Sequence, residues 1–158
     1  MNGMATLLLA LAVVSTGLYA GFFVIFQTGI MPALATLTDE QFVPAMRRIN
    51  EKVPRGAFML SFLGSLGFPL AVLFVPVDGR TATDRWLVVA ALVCAFVGHV
   101  ITSAGNVPLN NALAAAENSP RAARDVRAAF EGKWNALHLV RTLFALAAFV
   151  LMVCAATA

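Results

Sequence analysis

The sequence predicts an all-α integral membrane protein: an antiparallel four-helix bundle with a short amphipathic helix in its first cytoplasmic connection. Of its 158 residues, 60% are hydrophobic and only 12% are charged, whereas soluble domains carry about 25% charged residues. The apolar residues fall into four blocks that approach or exceed the roughly 20 residues needed to cross a bilayer. Short polar connections join the blocks, which favours a single transmembrane domain over residues 1–158.

The first block covers about residues 4–30. It stands where a secretion signal would, but no Lys or Arg precedes the apolar run, and the run is longer than a signal core. We therefore expect a retained transmembrane helix. Gly17 and Gly21 form a small-xxx-small spacing that lets helices approach closely, either inside the bundle or between two copies of the chain. Gln27 lies near the end of this helix, and Pro32 follows it.

Residues 38–50 predict the amphipathic helix. Thr38 or Asp39 can cap its N-terminus. Apolar side chains recur at helical spacing on one face, and two arginines suit a membrane surface. These residues are Phe42, Met46 and Ile49, with Arg47 and Arg48. Asn50 ends this helix, just before the second apolar block.

The second and third blocks cover about residues 53–77 and 86–104. Gly64 and Gly67 in the second block predict a close crossing with a neighbouring helix. Pro108 follows the third block and has no backbone N–H to donate, so the helix is expected to kink or restart there.

The fourth block covers about residues 134–155 and continues a helix that we expect to begin at Ser119 and Pro120. Its first turns carry polar side chains that fall within an arc of roughly 120° on one face. These are Trp134, Asn135, His138, Arg141 and Thr142. Because an imidazole and a guanidinium are costly inside a membrane, they are expected to have partners or a function.

Lysine and arginine are distributed unevenly between the connections. Eight follow the first and third blocks, and two follow the second. Under the positive-inside rule this bias predicts a cell (inner) membrane protein with the richer connections in the cytoplasm and both termini outside. We assign the net charge of +3 to this topology and predict no nucleic-acid partner. The eight are Arg47, Arg48, Lys52, Arg55, Arg121, Arg124, Arg127 and Lys133, and the two are Arg80 and Arg85.

This topology brings polar residues of distant segments to the cytoplasmic end of the bundle. They are Gln27, Asn50, Asn106, Asn110, Trp134, Asn135, His138 and Arg141. We therefore expect one pocket at this end, lined by amides, an imidazole and a guanidinium.

Several short motifs are shared with a known family. They are Gly21-Phe-Phe, Met31-Pro, the helix ending Arg-Ile-Asn50, Asn106-Val-Pro-Leu-Asn-Asn111 with Leu113, Trp134-Asn135 and Arg141-Thr142. On these motifs the sequence resembles the anthrone oxygenase-like family of small four-span membrane proteins. Family members often carry His directly after the Trp-Asn pair, where this chain has Ala136 and places its histidine two residues later. The resemblance implies oxidation of an anthrone-like aromatic polyketide to a quinone by molecular oxygen.

The polar face and the resemblance together predict a site for a flat, electron-rich, anthrone- or phenol-like aromatic that partitions from the lipid bilayer. We expect His138 to act as general base, since an imidazole exchanges protons near neutral pH, and Arg141 to stabilise the resulting oxyanion. The predicted substrate-binding residues are Asn50, Asn106, Asn110, Trp134, Asn135 and Gln27. Removal of a proton from an activated ring carbon leaves an electron-rich carbanion. Because such a carbanion can react with molecular oxygen directly, we predict no resident cofactor.

Two alternatives remain open at this point. In the first, the protein is a structural subunit or a small-molecule binder, and its Asn and Arg side chains form an interhelical clamp of hydrogen bonds worth about 0.6–2 kcal/mol each. In the second, the protein is an oxidase with copper or iron bound by His99, His138 and Glu51, with Glu131 as a further candidate ligand. No HxxxH or ExxH spacing is present to support a metal site.

Overall fold

A computed structural model of the protein describes residues 3–75, 80–119 and 121–157. Within these ranges the chain forms five helices and no strand. The helices are α1 (Gly3–Ala35), α2 (Asp39–Lys52), α3 (Gly56–Phe74), α4 (Ala82–Asn118) and α5 (Ala123–Thr157). All except α2 are long and apolar enough to cross a membrane. The predicted all-α membrane bundle with a short helix in its first connection is confirmed.

The four long helices pack in a ring in which α1 and α4 each contact both α3 and α5. Three apolar layers fill the ring. The distal cluster, farthest from α2, contains Leu9, Ala12, Val72, Val88, Ala91 and Met152. The aromatic layer contains Tyr19, Ala20, Phe23 and Ala145, with Phe58, Phe62 and Phe149 packed against it. The proximal cluster, beside α2, contains Phe26, Met31, Leu34, Phe42, Val43, Met46, Leu113, Val126, Phe130 and Trp134.

Helices α1 and α4 both pass through a proline without ending. Each widens into a π-helical turn just before it, over Phe26–Ile30 ahead of Pro32 and over Thr102–Asn106 ahead of Pro108. A proline donates no backbone hydrogen bond, and its ring clashes with the carbonyl oxygen four residues earlier. The wider turn accommodates both effects. The kink or restart predicted at Pro108 takes the form of this π-helical turn. Helix α1 continues to Ala35, past the end predicted near residue 30.

Helix α2 begins and packs as its sequence predicts. Thr38 is the N-cap and forms a capping box with Gln41, which satisfies backbone N–H groups that the first turn leaves free. Phe42 and Met46 are fully buried in the proximal cluster. The helix runs past Asn50, the predicted end, to Lys52. Asn50 therefore lies inside the last turn, where it faces the bundle.

Two predicted helix boundaries fall beside residues outside the described ranges. Helix α3 is described to Phe74, and residue 77, the predicted end of the second span, lies outside the described residues. Helix α5 begins at Ala123 and not at Ser119, and Pro120 also lies outside the described residues. From its start α5 runs without a break to Thr157, as predicted for one helix that continues into the fourth span.

Gly64 and Gly67 lie one turn apart on α3, and only the first is needed for helix packing. A Cβ atom on Gly64 would stand 2.9 Å from the Ser15 Cβ on α1, whereas one on Gly67 would meet no described atom within 4 Å. Gly64→Ala is therefore expected to force α1 and α3 apart and to lower the free energy of unfolding by about 1–3 kcal/mol. Gly67→Ala is the matched control and should be neutral or slightly stabilising, because Ala is the better helix former. Thermal unfolding followed by circular dichroism in detergent measures both, and equal midpoints would contradict close packing at Gly64.

The small-residue face predicted on α1 is divided between two environments. Gly17 lies against α5, where an added Cβ would approach the Phe149 ring to 2.9 Å. Gly21 is exposed, and no described atom lies within 4 Å of its Cβ position. Gly17 thus serves packing inside the bundle, while association of two copies through Gly21 stays a prediction.

Candidate functional site

A cavity lies at the end of the bundle that carries α2, between the proximal cluster and the aromatic layer. It holds about 150 Å³ and is partly open to the surface. Its wall is mostly aromatic and aliphatic, with a few polar side chains. The residues that line it are Phe23, Phe26, Asn50, Val53, Pro54, Phe58, Met59, Phe62, Thr102, Ser103, Val107, Asn110, Trp134, His138 and Arg141.

The charged group in this cavity is the guanidinium of Arg141 on α5, a residue that is only 6% exposed. Its Nε donates to His138 Nδ1 at 3.1 Å, and its Nη1 donates to Thr102 Oγ1 at 3.2 Å. Its Cζ lies 4.4 Å from the ring centre of Phe23 and 5.3 Å from that of Trp134, within the range of a cation–π interaction. Among the described residues, no carboxylate forms an ion pair with it. The described groups in contact with this positive charge are neutral dipoles and ring faces.

His138 uses both ring nitrogens on neighbouring groups. Because Nδ1 accepts from the Arg141 guanidinium, it carries the lone pair and the hydrogen resides on Nε2. Nε2 in turn donates to the Phe23 carbonyl oxygen at 3.1 Å. The ring is fully buried and stacks on Trp134, with the ring centres 4.7 Å apart and the planes at 18°. In this arrangement His138 is a neutral imidazole that orients Arg141.

Trp134 is held in place by two amides of α4. Its Nε1–H donates to Asn110 Oδ1 at 2.8 Å, and its carbonyl oxygen accepts from Asn106 Nδ2 at 3.2 Å. Asn110 lines the cavity, whereas Asn106 is completely buried behind the wall. These two predicted substrate-binding residues join α4 to α5 in the manner of an interhelical clamp.

The other predicted binding residues divide between the cavity and its surroundings. Asn50 lines the cavity, and its Nδ2 is buried without a hydrogen-bond partner among the described residues. Gln27 lies in the π-helical turn of α1 with its Oε1 buried and likewise unpartnered, but it is not part of the wall. Asn135 is half-buried on α5 and is not part of the wall either. The structure thus gathers Asn50, Asn110, Trp134, His138 and Arg141 and leaves Gln27, Asn106 and Asn135 outside the cavity.

A family model described as anthrone oxygenase matches residues 54–151. The chain belongs to the anthrone oxygenase family. The matched segment covers α3, α4 and most of α5, and it contains every polar residue of the cavity wall except Asn50. Searches of curated proteins and of solved structures find no match.

In this member of the anthrone oxygenase family, the candidate ligands of the metal alternative are dispersed. His99 is buried between α3 and α4, where its Nε2 lies 2.9 Å from the Phe62 carbonyl oxygen. Glu51 pairs with Arg48 at the surface of α2. Within residues 3–75, 80–119 and 121–157, no three His, Cys, Asp or Glu side chains form a group that could hold a metal ion. The structure therefore does not bring His99, Glu51 and His138 together.

Four phenylalanines that line this anthrone oxygenase-family cavity were not predicted as site residues from the sequence. Phe23 and Phe26 of α1 and Phe58 and Phe62 of α3 all line it, and the ring centres of Phe23 and Phe58 are 6.4 Å apart. The α3 pair lies one helical turn apart with ring planes at 22°. Their spacing is the available sequence signal, but it does not stand out because every position of an apolar span is expected to be apolar. Thr102, a hydrogen-bond partner of the cation, was missed since a lone threonine on a membrane helix is common.

Proposed function

We propose that the protein is a membrane-embedded oxygenase that oxidises a flat, electron-rich, weakly acidic aromatic of the anthrone or phenol class with molecular oxygen. The observation that carries the proposal is the buried guanidinium of Arg141, which lines the cavity and has no carboxylate partner among the described residues. Membership of the anthrone oxygenase family supports oxygenase chemistry. The distribution of Lys and Arg supports a place in the cell membrane, with the cavity end of the bundle on the cytoplasmic side.

The surroundings of Arg141 favour an anionic ligand. Taking an ion of this size out of water costs several kcal/mol even after the protein relaxes. The two neutral acceptors and two ring faces around the guanidinium offset only part of that cost. Its Nη2 donates to no described group, so an oxyanion in the cavity can accept from this free side. A clamp between helices needs no charge and leaves the choice of arginine unexplained.

His138 is the proposed general base. Apart from the permanently charged guanidinium of Arg141, it is the one ionisable side chain among the described residues of the cavity wall. In the ligand-free structure its Nδ1 lone pair accepts the Arg141 Nε–H. We propose that the ligand oxygen takes over this N–H when it binds, which frees Nδ1 to accept the ligand proton.

The reaction balances with molecular oxygen as the only oxidant. A C–H bond of the ring methylene group breaks, its electron pair delocalises onto the carbonyl oxygen beside Arg141, and the proton passes to His138 Nδ1. Molecular oxygen takes two electrons from this anion in single steps and forms a C–O bond, giving a peroxide that recovers the proton from the imidazolium. Loss of water then breaks the O–O bond and the second C–H bond. One oxygen atom remains as the new quinone carbonyl, and the other leaves in water.

His138→Asn separates proton transfer from the positioning of Arg141. An Asn carbonyl oxygen can accept from the guanidinium, but an amide takes up no proton. The variant is expected to bind 1,8-dihydroxyanthraquinone, an acidic product analogue, within about threefold of the wild-type affinity. It is expected to lose oxygen uptake with an anthrone by about 100-fold or more. His138→Phe, which keeps a ring but neither nitrogen, should lose both, and wild-type turnover in His138→Asn would leave the imidazole with a positioning role only.

The direct test of the function is oxygen uptake by the purified protein in lipid discs with an anthrone as substrate. The expected result is quinone formation with equal consumption of oxygen and anthrone. Adding copper or iron to metal-depleted protein tests the metal alternative, because a gain in rate would favour it. Absence of uptake under all these conditions would favour the non-enzymatic alternative, which is supported by the bonds from Asn106 and Asn110 to Trp134.

A further inference from the structure

We infer, relying on the proposed function for the nature of the ligand, that the substrate reaches the cavity sideways from the bilayer, through an opening between α3 and α4. Pro54 and Met59 form the rim on the α3 side, and Ser103 and Val107 form it on α4. All four line the cavity and are exposed. Met59 is 38% exposed and Val107 is 41% exposed. Both belong to helices long and apolar enough to span the membrane, so their exposed faces meet lipid.

Helices α3 and α4 contact each other around His99 and Phe62, next to this opening, and are apart at the opening itself. His99 Nε2 lies 2.9 Å from the Phe62 carbonyl oxygen and 3.5 Å from Ser65 Oγ, and the His99 and Phe62 ring centres are 4.1 Å apart. Helix α3 packs on the Ala82–Ile101 part of α4, whereas the cavity lies between α3 and the part that follows. The π-helical turn Thr102–Asn106 begins where the two helices separate.

Among the described residues, the layers on the two sides of the cavity consist of packed, buried side chains. On the side of α2, the proximal cluster places Phe42, Met46 and Trp134 at 2% exposure or less. On the opposite side, Tyr19 and Phe23 of the aromatic layer are each 2% exposed. A ligand that came through either layer would have to displace its side chains, whereas a ligand dissolved in the bilayer meets only the rim.

The rim carries no charge, and the cation lies behind it. Three of its four side chains are apolar and the fourth is a hydroxyl, while Arg141 is 6% exposed at the inner wall. An anion is poorly soluble in the hydrocarbon region, so the ligand passes the rim in its neutral form and becomes an anion only beside Arg141 and His138. The substrate class is therefore a neutral, membrane-partitioning aromatic with a weakly acidic O–H or C–H bond, and water-soluble anions are excluded.

The test measures how fast a membrane-dissolved probe reaches Trp134, in protein that also carries Trp86→Phe. Because the chain has two tryptophans, Trp134 is then the sole emitter. Quenching of its fluorescence by 1,8-dihydroxyanthraquinone in lipid discs gives the association rate, the dissociation rate and the Kd.

The rim is blocked after the protein has folded, so that a folding defect cannot imitate the result. Cys94 and Cys154 are replaced with alanine, and Ser103→Cys places a single thiol on the rim, which is then modified with a bulky maleimide. Val100→Cys is the matched control, since Val100 is 47% exposed on α4 one turn further from the rim. The unmodified form of each variant is its own reference.

Modification at Ser103→Cys is expected to slow association and dissociation together by about tenfold or more, with the Kd changed by less than about threefold. Modification at Val100→Cys is expected to change neither rate. Lateral access would be wrong if modification of the rim left both rates unchanged. It would also be wrong if modification raised the Kd without slowing association. Arg141→Met tests the proposed function separately. If this change leaves the Kd unaltered while modification of the rim slows both rates, Arg141 is not the partner of an anionic ligand and lateral access stands. If it weakens the Kd while modification of the rim leaves both rates unchanged, Arg141 is that partner and lateral access is wrong.

Discussion

Arg141→Met is expected to reduce oxygen uptake with an anthrone to a small residual rate while leaving the ligand-free protein at least as stable as the wild type. Loss of one group that stabilises an oxyanion lowers turnover by about 100- to 1000-fold, or roughly 2.7–4 kcal/mol of transition-state free energy. Replacing a buried ion with an apolar side chain of similar length removes its desolvation cost and is often neutral or stabilising. The hydrogen bonds lost at His138 and Thr102 offset part of that gain. Oxygen uptake and thermal unfolding in the same detergent measure the two effects side by side.

Arg127→Met is the matched control, because this arginine lies on the same helix but is paired. Its guanidinium lies 3.1 Å from Asp39, 2.7 Å from Glu131 and 4.3 Å from the ring centre of Phe42. Its removal leaves two half-buried carboxylates without their partner, so the free energy of unfolding is expected to fall by about 1–2 kcal/mol. Turnover per folded molecule should stay unchanged. If both variants lost stability and kept turnover, Arg141 would be a structural residue like Arg127.

Trp134→Ala is expected to cause the largest loss of stability among changes to the cavity wall, about 3–5 kcal/mol. The indole is 2% exposed and stacks between Phe130 and His138, with ring centres 6.0 Å and 4.7 Å away. Its removal opens a void between α4 and α5 and leaves Asn110 Oδ1 without its donor. Unfolding in mixed micelles is expected to show a much lower midpoint.

Two further tryptophan variants divide this effect into its parts. Trp134→Phe keeps most of the ring and removes the N–H, so we expect a loss of about 1–2 kcal/mol. Trp86→Ala removes an indole that is 71% exposed on α4 and should change the midpoint little. Equal losses from alanine at the two tryptophans would contradict a structural role for the Trp134 indole.

The long helices and α2 could be predicted because their causes are local. The length of each apolar run predicts a span, and a capping side chain at Thr38 or Asp39 predicts the start of α2. The helical spacing of Phe42 and Met46 predicts its buried face. None of these features depends on how one helix is rotated against another.

The composition of the cavity could be predicted only in part. The antiparallel order of the spans places Asn50, Asn110 and Arg141 at one end of the bundle, but the face that each helix turns inward depends on its rotation. The π-helical turn that holds Gln27 adds a residue to α1, which shifts the side chains after it by about 100° against the pattern of a regular helix. A residue at the right end of the bundle can therefore still lie outside the cavity.

The partners that other helices supply to His138 and Arg141 could not be predicted. One partner is the carbonyl oxygen of Phe23, 115 residues away in the chain, and any residue can supply such an acceptor. The other is the hydroxyl of Thr102, which a single helix can equally well bond to its own backbone. Only the packed bundle reveals these pairs.

By itself the sequence determined the four spans, the amphipathic helix between the first two, and the end of the bundle where the polar side chains gather. Those features follow from the length, spacing and charge of each segment taken alone. The tertiary structure decided which amides hold helices together and which face the cavity, and that Arg141 has no described carboxylate beside it. These depend on the rotation and separation of helices far apart in the chain, which side-chain packing determines and no single segment encodes.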